Sequence, residues 1–123
     1  MVDEKDPFPN KEYKGCEFKR ADMTQAHFNA VNLSHARFWA VIENASFQGT
    51  NLRKATFDDV NLAESTFENV NLSGAKYNNV NLAGASFSNL NLSNVEIKDA
   101  NLEGMTIDGV LVSDLFEVWQ KRT

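Results

Sequence analysis

The chain has 123 residues, 42% of them apolar, and a formal charge of −5 from 17 acidic and 12 basic side chains. That length suits one domain with one core, and that charge argues against a protein that neutralises nucleic-acid phosphates. No stretch nears the ~18–20 apolar residues of a membrane span, the polar N-terminus lacks the apolar segment of a signal peptide, and the lone Cys16 rules out an internal disulfide, so the expected setting is the reducing cytoplasm.

Residues 1–15 carry Pro7 and Pro9 and show no repeat; with Phe8 and Tyr13 laid over the start of the repeat region, they read as an irregular N-terminal cap, disordered at its first few residues. A new order begins at Cys16. A large residue returns every fifth position: Phe18, Met23, Phe28, Leu33 and Phe38, then Ile42, Phe47, Leu52, Phe57, Leu62 and onward to Val112. A small apolar residue precedes nearly every one by two positions, as Ala36, Ala45, Ala55 and Ala75 do. A period of five fits neither a helix nor a strand and implies a repeat architecture over residues 16–112. The step from Phe38 to Ile42 is four, so that one unit is a residue short and is expected to kink a corner, with Trp39 projecting outward.

Each unit is too short to bury its own large residue, so neighbouring copies must stack. A flat cross-β stack and a wound solenoid both satisfy this. A second period favours winding: aromatic and aliphatic centres alternate, so like residues return every ten positions. Any even number of sides is compatible with that period. With four sides, Phe18, Phe38, Phe57, Tyr77 and Ile97 form one stack, and Phe28, Phe47, Phe67, Phe87 and Ile107 the opposite one. Met23, Ile42, Leu62, Leu82 and Leu102 lie between them, with Leu33, Leu52, Leu72, Leu92 and Val112 across the coil. Small residues two positions earlier relieve crowding between facing rings. Asparagines stand just before the aliphatic centres, at Asn32, Asn51, Asn71 and Asn91 and at Asn61, Asn81 and Asn101. They read as structural, with amides in register bonding one to the next.

Residues 113–123 read as a short α-helix. Ser113 suits the N-cap, Asp114 the first turn, and Lys121 and Arg122 the last. Leu115, Phe116 and Trp119 make an apolar stripe, which implies a cap sealing the last coil.

Units such as Ala100-Asn101-Leu102-Glu103-Gly104 and Ala21-Asp22-Met23-Thr24-Gln25 resemble the A(D/N)LXX unit of the pentapeptide repeat family, over Cys16 to Asp114. The resemblance implies an all-β solenoid, a right-handed quadrilateral parallel β-helix of about five coils with one pentapeptide per side. It also implies a protein partner, and a homodimer through the C-terminal helix as an alternative to a cap alone, because some members pair through their C-terminal ends. Members that confer quinolone resistance mimic DNA and engage DNA gyrase and topoisomerase IV.

Little here points to chemistry. His27 and His35 fall on different sides with no second cysteine or further histidine to complete a metal site, and Cys16 takes an inward small-residue position. The expectation is a non-enzymatic scaffold or interaction module without cofactor, metal or membrane contact. Asp22, Glu43, Glu64 and Glu103 share one side with no basic residue, while the side through Phe57 mixes both signs and Arg53 and Lys54 form a small basic spot. A duplex mimic needs about one charge per ~1.7 Å of axis, far denser than this acidic stripe, so gyrase modulation is the alternative function and a solvated face the simpler one. The candidate interaction surface is Asp22, Glu43, Glu64, Glu103, Trp39, Phe116 and Trp119.

Overall fold

The structure, a computed structural model, describes residues 12–121. The expected cap residues Pro7, Phe8 and Pro9, the expected disorder of the first few residues, and Arg122 all lie outside them. The chain winds as a four-sided parallel β-solenoid of five coils, followed by one short helix. The coils carry β1 (Glu17–Asp22) and β2 (His27–Asn29), β3 (Arg37–Val41) and β4 (Ser46–Gln48), β5 (Thr56–Asp58) and β6 (Thr66–Glu68), β7 (Lys76–Asn78) and β8 (Ser86–Ser88), and β9 (Glu96–Lys98) and β10 (Thr106–Ile107). Then come β11 (Val110–Leu111) and α1 (Val112–Gln120). Odd strands stack as one parallel sheet, and even strands as the opposite one, with β11 added antiparallel at its end. The two aliphatic sides are narrower ladders, running Asn32–Asn51–Asn71–Asn91 and Val41–Asn61–Asn81–Asn101.

Two backbone events make each side. The large centre and the small residue before it point inward, while the second residue after the centre takes a left-handed conformation and turns the chain. In the first coil these turning residues are Arg20, Gln25, Ala30 and His35, at φ 54, 64, 56 and 62°. On the aliphatic sides the following small residue closes the turn by donating to the centre's carbonyl, as Ala36 N–H does to Leu33 (3.1 Å) and Ala75 to Leu72 (2.9 Å). Such a turn needs positive φ at its third residue, where Gly74, Gly84 and Gly104 stand.

The asparagines serve this turn. Each accepts, through Oδ1, the N–H two residues on: Ser34 to Asn32, Ala63 to Asn61, Ser73 to Asn71 and Ala83 to Asn81, all at 3.0–3.1 Å. The expected amide-to-amide ladder does not form among the described residues, because the carbonyl end of each side chain is held locally. Structural asparagines they are, through Asx turns.

The interior is continuous and almost wholly apolar. Phe28, Phe38, Phe47, Phe57, Phe67, Tyr77 and Phe87 are fully buried, with Leu33, Ile42, Leu52, Leu62, Leu72 and Leu82 between them. Rings of successive coils stack face to face: Phe18 on Phe38 at 5.0 Å, Phe38 on Phe57 at 4.7 Å and Phe57 on Tyr77 at 4.5 Å. Opposite, Phe28, Phe47, Phe67 and Phe87 follow at 4.5, 4.6 and 4.5 Å. This spacing equals the rise between hydrogen-bonded strands, so the backbone ladder sets the ring stack. Ser34, Thr50 and Ser65 are buried among the apolar residues, the Thr50 and Ser65 hydroxyls donating to Phe28 O (3.0 Å) and Ile42 O (2.7 Å). The Tyr77 hydroxyl is buried with no hydrogen-bond partner, and burial pushes its ionisation far above the usual phenol range.

Both ends differ from expectation. Tyr13 lies within the solenoid: its N–H donates to Asn32 O (2.9 Å), Gly15 N–H donates to Ser34 O (3.0 Å), and Cys16 N–H closes the turn on Tyr13 O (3.1 Å). Glu12 bridges Asn32, and Gly15 takes the left-handed position at φ 74°. Residues 12–15 therefore form a side of the coil instead of the irregular cap. At the other end, Asp108 and Gly109 at φ 49 and 81° reverse the chain into an antiparallel β10–β11 hairpin, the turn that Asp-Gly favours. Val112 thus opens α1 and does not complete the Leu92 stack; its N–H donates to Met105 O (3.0 Å).

The helix also starts two residues earlier than an N-cap at Ser113 would set it, from Leu111 with no side-chain cap, and Lys121 follows it as C-cap. Its first residue, Val112, is buried with the core, as is Met105, while the helix packs beside β11 and its later residues stand exposed. Ile97 is 37% exposed where Tyr77 one coil earlier is at 1%. The seal is therefore partial, because the hairpin returns the chain along one sheet and leaves Ile97 on the opposite side at an exposed edge.

Phe67→Ala, which empties the middle of a four-ring stack, is expected to cost roughly 3–5 kcal/mol in urea melts; a loss below about 1 kcal/mol would contradict this inside–outside assignment. Tyr77→Phe removes the orphan hydroxyl and keeps the ring, so it is expected to stabilise by about 1 kcal/mol. Destabilisation in the same melts would mean the hydroxyl has a partner.

Candidate interaction surface

The short unit acts through what it lacks. Every other aromatic side of the solenoid ends in a left-handed residue, and at this corner these are Arg20, Asp59, Asn79 and Asp99. The second coil has none. Trp39 is followed directly by Ala40, the small inward residue of the next side, so β3 runs straight through the corner as a five-residue strand. Its register with β1 steps from Lys19↔Trp39 to Ala21↔Ala40, leaving Arg20 bulged out without an opposite residue. The expected kink is thus a missing turn.

Trp39 projects as expected and is 41% exposed. The Arg20 guanidinium lies over its ring, 4.9 Å from the centroid, a cation–π contact. Val41 is 42% exposed in the column that otherwise holds Asp22, Asn61, Asn81 and Asn101. A groove of about 790 Å3 follows this corner down the rod, with Arg20, Asp22, Trp39, Val41, Asp59 and Asp99 among its lining. The diagonal corner carries a groove of about 530 Å3 between Gly49 and Asn91, with no aromatic residue in its lining. The groove is therefore a property of the fold, and its apolar wall a property of the short unit. Sequence reasoning singled out Trp39 but missed Val41 and Arg20. The signal for Val41 was present, as an apolar residue where the repeat places Asn or Asp.

The acidic residues share a side but not a line. Asp22 precedes its centre, Glu43 and Glu103 follow theirs by one, and Glu64 follows by two. In the Glu43 column, Ala63 and Ala83 stand in the coils before Glu103, as the bonds Asn44 N–H to Ala63 O, Glu64 N–H to Ala83 O and Gly84 N–H to Glu103 O fix. Two of the four carboxylates are also occupied. Asp22 accepts from the Thr24 hydroxyl (2.7 Å) and backbone N–H (3.1 Å), which hold its carboxyl below the usual range. Glu43 accepts from Asn61 Nδ2. The stem of Glu64 lies over Gly84, where a Cβ would meet its Cγ at 3.1 Å.

Phe116 and Trp119 are 51% and 58% exposed, and Leu111, Leu115 and Val118 stand exposed with them. They form one exposed apolar end beyond the buried Val112, so the stripe of Leu115, Phe116 and Trp119 faces outward instead of onto the last coil. His27 and His35 are exposed and Cys16 is half-buried. Among the described residues no group of three His, Cys, Asp or Glu is placed to hold a metal, and no helix is long and apolar enough to cross a membrane.

Comparison with known proteins places this geometry. The solved structure of HetL, a pentapeptide repeat protein involved in heterocyst differentiation regulation in the cyanobacterium Nostoc, is similar at a TM-score of 0.59 and 21% identity, over 81% of this chain and 53% of HetL. The chain thus spans about half of HetL's length. A pentapeptide repeat protein of the Arabidopsis thaliana thylakoid lumen aligns at a TM-score of 0.56 and 20% identity, over 87% of this chain and 75% of its own. QnrB1, a plasmid-mediated fluoroquinolone resistance protein, aligns at 21% identity over 88% of this chain and 78% of its own, but at a TM-score of only 0.36. No curated protein matches the chain in sequence. The family profile described as "Pentapeptide repeat region" matches residues 40–115, and that described as "Pentapeptide repeats (8 copies)" matches residues 14–39. With the five-residue sides and the stacked centres, these matches make the chain a member of the pentapeptide repeat family.

Proposed function

We propose that the chain is a non-enzymatic protein-interaction module, a rod that works through its exterior. The observation that carries this reading is the apolar end formed by Leu111, Leu115, Phe116, Val118 and Trp119, exposed on a rod that buries nearly all its other large apolar side chains. Contiguous exposed apolar surface marks protein contacts. Catalysis finds less support, because the centres fill the interior and the groove asparagines Asn61, Asn81 and Asn101 spend their carbonyl oxygens on their own turns. A cytoplasmic setting, expected from the lone Cys16, belongs to the same proposal.

The occupant of the apolar end is a second copy of the chain. A two-fold axis beside α1 lays one helix face on its own equivalent and covers Phe116 and Trp119 of both copies at once. Light scattering at micromolar protein is expected to give a dimer, and Phe116→Glu with Trp119→Glu a monomer of unchanged circular dichroism. A strict monomer at high concentration removes the homodimer.

The alternative, a DNA-mimicking modulator of gyrase, draws no support from the acidic residues. Asp22, Glu43, Glu64 and Glu103 occupy three different columns and fall far below duplex charge density. Micromolar protein is therefore expected to leave gyrase supercoiling unchanged, with or without quinolone; inhibition or protection in that assay would restore the mimic.

A further inference from the structure

Away from its ends the solenoid exposes large apolar side chains at one place among the described residues, Trp39 and Val41 of the second coil. The missing left-handed residue makes this place a notch. Arg20 stands out from the corner one coil before it and Asp59 one coil after, both at positive φ, with buried Ala40 as the floor between them. The notch opens into the corner groove, whose charged lining is Arg20 against Asp22, Asp59 and Asp99. Arg20, the cation of this lining, is drawn onto the Trp39 ring at 4.9 Å, and Lys98 beside Asp99 is engaged by Glu96 at 2.8 Å, which leaves the groove anionic. Asp59 is held in place by Asn79 Nδ2, which donates to its Oδ1 (3.2 Å).

From the stacking of Arg20 on Trp39 and the carboxylates beyond it, we infer that this notch and groove dock an extended, arginine-bearing segment of a protein partner. The inference deepens the interaction-module reading and rests on it. The Trp39 face already takes a guanidinium, and a partner's arginine takes the same position when Arg20 swings aside or stacks beyond it. Val41 receives the aliphatic stem, since long basic side chains lay their methylenes on apolar surface. Asp59 and Asp99 receive the cations that follow. The spacing fits: Trp39 to Asp99 is three coils, ~14 Å at the ~4.8 Å rise, and arginines on one face of an extended chain span ~13 Å over four residues. Phosphate-bearing partners are excluded by the same carboxylates, which would repel them.

The test uses Trp39 as its own reporter. The chain has two tryptophans, so Trp119→Phe leaves Trp39 as the sole indole and keeps an apolar ring on α1. This protein is titrated with a six-residue peptide alternating arginine and alanine, its ends blocked, and with its glutamate–alanine counterpart. The expected result is a saturable change in Trp39 emission with the arginine peptide only, weakened about tenfold in Asp59→Asn with Asp99→Asn and lost at ~0.5 M salt. Asparagine tolerates the left-handed backbone at both positions, so an unchanged melting curve certifies the double variant. No saturable response to millimolar peptide overturns the proposal. So does an equal response to the glutamate peptide, or a midpoint indifferent to the two aspartates. Light scattering on the unsubstituted chain, with Trp119 in place, separates the two readings. A dimer through α1 with no peptide response defeats the groove and leaves the interaction module standing, whereas a monomer that binds the arginine peptide confirms the groove and removes the homodimer.

Discussion

A side of five residues closes only if one of them adopts a left-handed backbone, and this chain asks it of residues ill suited to it. Arg20, Gln25, Ala30, His35, Lys54 and Glu64 all sit at positive φ, where an L-residue is disfavoured by roughly 1–2 kcal/mol. That strain recurs at the corners not turned by glycine and must be outweighed by what the corners make possible. They bring like residues into register one coil apart, so that each ring meets a ring at about 4.5–5.0 Å and each ladder bond meets its neighbour. The interior tolerates little else. Even Tyr77 occupies its ring position without a partner for its hydroxyl, because shape in the stack outranks polarity at that one atom.

The same constraint explains the shape of the ends. A coil is stable when it has a coil on each side, and the fifth has only one. Leu92, Ile97 and Leu102 lose the cover that Leu72, Tyr77 and Leu82 enjoy. The chain answers on one sheet alone, where the hairpin adds β11 as a sixth strand. The other exposed edge, β9, carries the Glu96–Lys98 ion pair at 2.8 Å, and charged side chains on an edge discourage unplanned strand pairing. Apolar surface that the coil does not absorb is passed to α1.

Much of this was legible in the sequence, and the rest escaped for identifiable reasons. The stacks from Phe18 to Ile107 followed from periodicity because inward positions are restricted to large or small apolar residues. The left-handed position was invisible because nothing restricts it: Arg20, Ala30, His35 and Glu64 share no property a reader can key on. The short unit could therefore be located but not interpreted as a lost turn. Tyr13 fell one unit before Phe18, with Gly15 at its turn, yet its neighbours lacked the small residue that marks other sides. Asp108-Gly109 carried a hairpin signal that the five-residue beat masked, since Val112 fell in phase with it. The pairing of Arg20 with Trp39 needed the coil-to-coil register, which depends on knowing which residue was lost.

A rod of equivalent coils has near-translational symmetry along its axis, and a partner that reads only the repeating features could bind it at any of several coils or slip between them. The nineteen-residue coil abolishes that degeneracy. By omitting one corner it gives the lattice a single defect, and with the defect an origin from which every other position along the rod can be counted. A partner that recognises the notch is fixed in both position and orientation relative to the C-terminal helix, so one deletion converts a ruler without markings into one with a zero.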